Sequence, residues 1–298
     1  MTDLVSIFCE IDDFCKDFFS EFKISKKLTA NKSYQKGKQM RLSKSEIMTI
    51  SIYYHFSGYA TFKDYYTKHV TIYLKKDFPK LVSYNRFIEL RKKIVIPLLI
   101  FLVTRKLSSC TGFSIIDSFK LDACHIRRAS SHKTLKGFAK KGKTSVGWFF
   151  GMKVHLIVNH RGEIVSFYVS SGNVSDNNQN ILFKLTKNIT GKLFGDKGYI
   201  VNQKIFEKLY LQGVHLITKI RKNMKNKLME MEDKLFLQKR GVIESIGDIL
   251  KQHLGLEHTR HRSSWGFFLN VLSSLTAYQM RDKKPSIPLS LGQNLLYA

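Results

Sequence analysis

The chain has 298 residues, 43% of them hydrophobic, only four prolines, and a formal net charge of +27. A chain of this length buries roughly three quarters of its unfolded surface, which allows one large domain or two modest ones and excludes a disordered chain. Charge of that size does little for a fold and points to a polyanionic partner, nucleic acid or an anionic membrane.

The first 110 residues read as helices. "MTDLVSIFCEIDDFCKDFF" carries acids where a secretory leader needs a basic flank, so a cytoplasmic chain is expected. Within it Phe8, Ile11, Phe14, Phe18 and Phe22 recur at helical spacing over 4–22. "SKSE", with Ser43 and Glu46, is a capping-box pattern ahead of an apolar run, and "TFKD" (61–64) repeats it. A fourth helix is expected over 85–106, interrupted at Pro97. Its apolar centre, "IVIPLLIFLVT", is too short for a bilayer, so no membrane partner is expected. The four cysteines, Cys9, Cys15, Cys110 and Cys124, form no CxxC pair and read as reduced thiols filling space.

The pattern changes near Gly112. "FSIIDSF" (113–119) is strand-like, and two strands, 148–160 and 162–171, flank His160-Arg161-Gly162 as a hairpin. A helix over 178–189, a strand ending "KLFGD", a helix over 201–212 and a strand over 214–220 follow. A long helix over 234–253 and an apolar helix over 265–280 complete the order, which is that of a mixed α/β sheet with helices packed on it. Two basic stretches stand outside these elements. Residues 120–147 hold eight Lys or Arg against one Asp, and "KIRKNMKNK" (219–227) holds five more cations. An isolated run of this kind is usually a solvated loop; beside strand ends in so basic a chain, phosphate contact is the better account.

Three acids share one expected crevice. Asp117 ends the first strand in "IIDSF", Asp196 ends the fourth in "LFGDKGY", and Glu244 lies mid-helix on a face with Arg240, Asp248 and Lys251, opposite Val242, Ile246, Ile249 and Leu250. Alone, an Asp after a strand is most often a cap and a Glu on a helix face is most often solvated. Together they meet where open sheets form their clefts. Bare carboxylates in contact repel by roughly 4 kcal/mol at 4 Å and an effective dielectric of 20. Hard Mg²⁺ or Mn²⁺ reverses that sign, and two such ions would suit phosphoryl chemistry. On this reading Gly195 and Gly198 leave room for backbone and phosphate beside Asp196. Asp122 competes with Asp117 as the first acid. Asp176 reads as the cap of the next helix, with support of the site as the alternative, and Asp248 as an outer partner of Glu244. His253, His258 and His261 lack a Cys pair and fit no common zinc spacing. Trp148 and Trp265 read as core, with base stacking as the alternative.

"IIDSF", the 149–178 segment, "LFGDKGYI", "LQGVHLITKIRKNMKN", "KRGVIESIGDILKQ" and "LEHTRHRS" occur in an order that resembles bacterial DDE insertion-sequence transposases, most closely insertion-sequence family 982, over about residues 40–280. The resemblance implies an RNase H-like catalytic domain at 111–284 with a basic insertion at 120–147. Ahead of it stands a helical domain (1–110) for DNA-end binding or dimerisation, and after it a tail at 285–298. It implies catalytic, metal-holding Asp117, Asp196 and Glu244 with two Mg²⁺ or Mn²⁺ ions. It further implies hydrolysis at transposon ends, attack of the freed 3′-hydroxyl on target DNA, double-stranded DNA as partner, a synaptic homodimer and a place at the nucleoid. Lys251 matches the family's basic residue after the glutamate, and Arg240 is expected beside it on DNA. Arg127, Arg128, Lys140, Lys141, Lys143, Lys197, Arg221, Lys222, Arg260 and Arg262 are the further expected DNA contacts. The sequence departs from the family where Lys120 replaces the usual proline and Gly247 the usual asparagine, the latter loosening its helix by about 1 kcal/mol relative to Ala. A nuclease that does not join strands, or an inactive DNA-binding derivative, are the alternatives.

Overall fold

Near-neighbour chemistry sets the helix starts in the computed structural model, which describes residues 3–29 (backbone alone for 21–29), 41–144, 147–219, 229–257, 261 and 263–288. Ser43 accepts a hydrogen bond from the Glu46 N–H while the Ser43 N–H donates to the Glu46 carboxylate, the reciprocal cap expected of "SKSE". Thr61 caps the helical run 62–73 through the Asp64 N–H.

The chain divides into two compact units, 1–106 with 253–256 and 263–282, and 107–252 with 257–262 and 283–298. The first is helical: α1 (Leu4–Thr29), α2 (Lys44–Tyr53), α3 (Tyr84–Arg91) and α4 (Val95–Phe101) are joined by α9 (Ser264–Gln279). Its core is built from Ile7, Ile11 and Phe14 of α1, Ile47 and Ile50 of α2, Leu98 and Phe101 of α4 and Leu275 and Tyr278 of α9. The run is interrupted just ahead of Pro97, by a 3₁₀ turn at Lys92–Ile94, and Pro97 stands in the first turn of α4, where its missing N–H has no α-helical partner to lose. The sequence reading put the 265–280 helix with the sheet. The structure groups it with the helices instead, because α9 is buried almost all round and no single sheet face covers such a helix.

In the second unit β1 (Phe113–Cys124) lies at the centre. β3 (Gly147–Asn159) runs antiparallel beside it, from Ser114↔Asn159 to Cys124↔Phe150. β5 (Gly191–Gly195) lies parallel on its other side, from Phe113↔Lys192 to Ile115↔Phe194, and β6 (Val214–Thr218) lies parallel to β5. β2 (Lys140–Thr144) and β4 (Ile164–Ser171) take the outer edge of β3 in succession, β2 along 147–151 and β4 along 152–158. The order β4–β3–β1–β5–β6, three strands antiparallel and two parallel, is the RNase H-like arrangement. The parallel pairs need crossovers, and α5 (Gln179–Leu185) and α6 (Gln203–Leu211) supply them. Leu182 of α5 and Leu209 of α6 join one core cluster with Ile116, Ile157, Leu193 and Leu216 of the sheet and with Tyr199. On the opposite face Phe113 and Phe194 pack at 4.8 and 5.5 Å against Phe236 of α7 (Met231–Lys239), which α8 (Gly241–Asp248) follows.

Two element expectations are corrected. β1 continues to Cys124, so Lys120 and Asp122 belong to the strand, and the basic stretch after it contains a 3₁₀ turn (Ile126–Arg128) and β2. Ladder hydrogen bonds to β3 sustain this extension, and those are not local in sequence. The expected long helix over 234–253 is instead α7, α8 and a π-helical turn, Ile249–His253.

Candidate active site

Asp117 is the fifth residue of a twelve-residue strand, so the expected strand end is corrected; what ends near it is the parallel pairing with β5. The last pair of that ladder is Ile115↔Phe194; Asp117 stands two residues beyond it on β1, and Asp196 two residues beyond it, just past the end of β5. Asp196 follows β5 and caps the 3₁₀ turn Lys197–Tyr199, accepting the Gly198 N–H at 2.7 Å. The glycines around it serve packing rather than an open approach. A Cβ on Gly195 would stand 3.1 Å from the Tyr199 Cβ and 3.2 Å from the Ile116 Cγ2. One on Gly198 would stand 2.9 Å from the Asp196 Oδ1 and 3.5 Å from the Asp176 Oδ2.

Glu244 comes from α8. The buried stripe of that helix is Ile243, Ile246, Gly247 and Leu250, one step off the expected Val242, Ile246, Ile249 and Leu250. Glu244 therefore points off the core, its side chain 62% exposed. Between it and the sheet sits Arg240, whose Nη1 lies 3.4 Å from the Asp117 Oδ2 and whose Nη2 lies 3.2 Å from the Glu244 Oε1. One rigid guanidinium fork touching both holds the two carboxylate oxygens within about 9 Å of each other. Arg240, expected on DNA, has a side chain 15% exposed and lies against two carboxylates.

Burial pushes the Asp117 carboxyl up to about 6. The Ser118 N–H and the Arg240 guanidinium oppose that rise, and the Asp196 and Glu244 carboxylates add to it. The three acids thus share one electrostatic field. A cleft of about 220 Å³ opens between β1 and α8, lined by Asp117, Phe119, Glu244, Gly247, Asp248 and Lys251. Asp196 is not part of that lining and approaches from the end of β5. The Lys251 ammonium lies 5.2 Å from the centre of the Phe119 ring. Acid oxygens of this kind suit Mg²⁺ or Mn²⁺ by donor chemistry, since carboxylates are the ligands that hard divalent ions take.

Asp122 does not compete for this position. It faces the other side of the sheet and is paired with Lys120 at 2.9 Å. Asp176 does not cap α5; Asn178 does, accepting from the Asn180 and Ile181 N–H groups. Asp176 instead accepts from the Ser118 hydroxyl at 2.6 Å and from the Lys153 ammonium at 3.0 Å, directly behind Asp117. The sequence reading did not single out Lys153 or Tyr199. The signal for Lys153 was a cation inside the apolar run "FFGMKVHLIV", which burial forces to find an acid. Burial, with the Asp117, Asp176 and Asp196 carboxylates adding, raises the Tyr199 hydroxyl well above its ordinary value.

The remaining cations fall in different places. Arg127, Arg128, Lys140, Lys141, Lys143 and Lys197 are exposed, while Arg221, Lys222, Arg260 and Arg262 lie outside the described residues, as does His258. Trp148 and Trp265 are 63% and 54% exposed, so the core reading is corrected for both. A separate acidic group, Glu230, Glu232 and Asp233, surrounds the Lys192 ammonium at 3.1, 3.6 and 2.7 Å, which already supplies its countercharge.

The family model described as "Transposase DDE domain" matches residues 107–264, just over half of the chain. The chain belongs to this family of DDE transposases. No curated protein sequence matches it. Among solved structures it is similar to the Mos1 transposase paired-end complex with left transposon end, at 11% identity and a TM-score of 0.25, covering 90% of this chain and 87% of that one. The Mos1 strand transfer complex gives 12% identity and a TM-score of 0.24, covering 90% and 86%. The Mos1 mariner paired end complex with Mn gives 10% and 0.25, covering 91% and 88%. Among the described residues no helix is long and apolar enough to cross a membrane.

Proposed function

We propose that this transposase hydrolyses phosphodiester bonds at the ends of an insertion sequence and joins the freed 3′-hydroxyl to target DNA. The observation that carries this reading is Arg240 joining Asp117 and Glu244 beside an open cleft, with Asp196 at the end of the neighbouring strand β5, in a chain of the DDE family. Asp117, Asp196 and Glu244 would hold two Mg²⁺ or Mn²⁺ ions. Such a pair, when bound, activates the attacking oxygen and stabilises the leaving one. Asp176 and Ser118 fix the back of the site, and Lys251 at the cleft wall meets a DNA phosphate. Arg127, Arg128, Lys140, Lys141, Lys143 and Lys197 hold the duplex by charge, and the cations of 219–227 with Arg260 and Arg262 add further phosphate contacts. Arg240 holds the Asp117 and Glu244 carboxylates together.

The order of motifs supports membership of bacterial insertion-sequence family 982, and on this reading the protein acts in the cytoplasm at the nucleoid as a synaptic homodimer, with 1–110 binding the transposon end or dimerising. The test is incubation of the purified chain with duplexes carrying its own element's ends and Mn²⁺. Asp196→Ala is expected to abolish cleavage while end binding stays within about threefold, since it removes no phosphate contact. Undiminished nicking by Asp196→Ala would remove the triad assignment. Pre-nicked 3′-hydroxyl ends that are never joined would reduce the protein to a nuclease. Identical behaviour in Mn²⁺ and chelator would leave a DNA-binding protein only.

A further inference from the structure

The β2–β3 hairpin presents two unlike faces. Lys141 pairs with Phe150 and Lys143 with Trp148, so these four side chains share one face, whereas Gly142 and Phe149 point to the other. The inner face is pinned: Phe149 is 3% exposed, and Cβ atoms on Gly142 and Gly172 would both stand within 3.0 Å of its ring. The outer face is half-buried at Phe150, where the His132 ring lies edge-on at 5.9 Å, and open towards Trp148. Trp148 is 63% exposed, Lys141 and Lys143 are exposed, and the Lys143 ammonium lies 5.7 Å from the centre of the Trp148 ring. An indole left in water beside two exposed lysines offers a π-face and cations together, which is a combination that binding can use.

Charge and register narrow the occupant. The sequence has no acid between Asp122 and Glu163, so the hairpin offers cations and π-faces without any counter-charge. Trp148 also lies on the same face of β3 as Leu156, the partner of Asp117, eight residues away, which is about 26 Å at strand rise. Lysines that meet phosphates beside an aromatic plane that meets a base are the elements of single-strand recognition. A stacked duplex hides its base faces, so the indole requires an unpaired base.

Resting on the DNA reading given above, we infer that the β2–β3 hairpin is a single-strand contact in which Trp148 stacks on an unpaired base while Lys141 and Lys143 neutralise the flanking phosphates, about 26 Å from the candidate active site.

The test measures binding of the full chain to a labelled single-stranded oligonucleotide and to the same sequence as a blunt duplex, by fluorescence polarisation over a series of salt concentrations. Trp148→Ala is expected to weaken single-strand binding about 5- to 100-fold, to change duplex binding less than about threefold and to leave the salt slope unaltered. Trp148→Phe keeps most of the affinity. Lys141→Ala with Lys143→Ala lowers the single-strand slope by about 1.4. In a Trp265→Phe background, the remaining exposed indole is quenched by single strand and not by duplex. Unchanged single-strand binding by Trp148→Ala, or an equal loss on both DNA forms, overturns the stacking role. So does stronger quenching by a polyglutamate peptide, which would mark an acidic-protein surface. Failure of the unaltered chain to bind either DNA form would instead sink the transposase reading on which the inference rests.

Discussion

Arg240 stands between Asp117 and Glu244, and its single charge answers two carboxylates. Replacing it by Ala leaves like charges facing each other, one of them largely buried. Because Glu244 is mostly in water, the loss is smaller than for a fully buried pair. The expected outcome is a fall of about 1–2 kcal/mol in stability in chelator, with a larger gain on adding Mn²⁺ than the unaltered chain shows. Thermal midpoints with and without Mn²⁺ check this, and an unchanged midpoint in chelator would mean the guanidinium compensates nothing. His155 gives the pH response. It is fully buried, its Nε2 lies 2.9 Å from the Ser170 hydroxyl, and its Nδ1 has no partner. Burial pushes it down from 6.5 to about 4, so the unfolded chain binds the proton more readily. Its contribution is complete above 6.5 and is lost as pH falls from there towards 4. Asp117, pushed up, works in the opposite sense between its ordinary value and about 6. The difference in denaturant stability between the unaltered chain and His155→Gln isolates the histidine. That difference should shift against the unaltered chain as the solution is acidified, and a difference flat with pH would exclude it.

Gly247 illustrates how an element's weakness can be local. Glycine inside α8 lowers helix propensity by about 1 kcal/mol relative to Ala. A Cβ there would meet only the Phe119 ring, at an ordinary 3.7 Å. Gly247→Ala is therefore expected to raise stability by about 0.5–1 kcal/mol, measured by urea unfolding. Gly151 is the reverse case, since its Cβ would lie 2.0 Å from the Leu121 carbonyl oxygen on the neighbouring strand. Gly151→Ala should cost at least about 2 kcal/mol, because backbone and not a flexible side chain blocks it. Equal effects at the two positions would contradict the close approach of β1 and β3. The hairpins and crossovers around them read well from sequence, since turn chemistry and alternation act over a few residues. The extension of β1 to Cys124 did not, because distant β3 supplies its hydrogen bonds.

The +27 charge acts over the entire chain. If six of the proposed cations each neutralise a phosphate, the log–log salt slope on duplex DNA is about −5. Removing Lys140, Lys141 and Lys143 together should make it shallower by about 2.7. A slope that ignores these changes would place the DNA surface elsewhere. Chemistry read along the chain identified much of this protein: the α/β order, the caps at Ser43 and Thr61, the hairpin at His160, and Asp196 wrapped in its glycines. These depend on neighbours within a few positions, and sequence records such neighbours directly. Tertiary structure alone decided that Arg240 bridges two acids, that Asp176 serves Ser118 and Lys153 rather than a helix, and that Trp148 faces water. Each of those outcomes depends on which surfaces a sheet and its helices bring face to face, and apart from Arg240 and Glu244, four residues apart, the partners lie 23 to 123 residues apart.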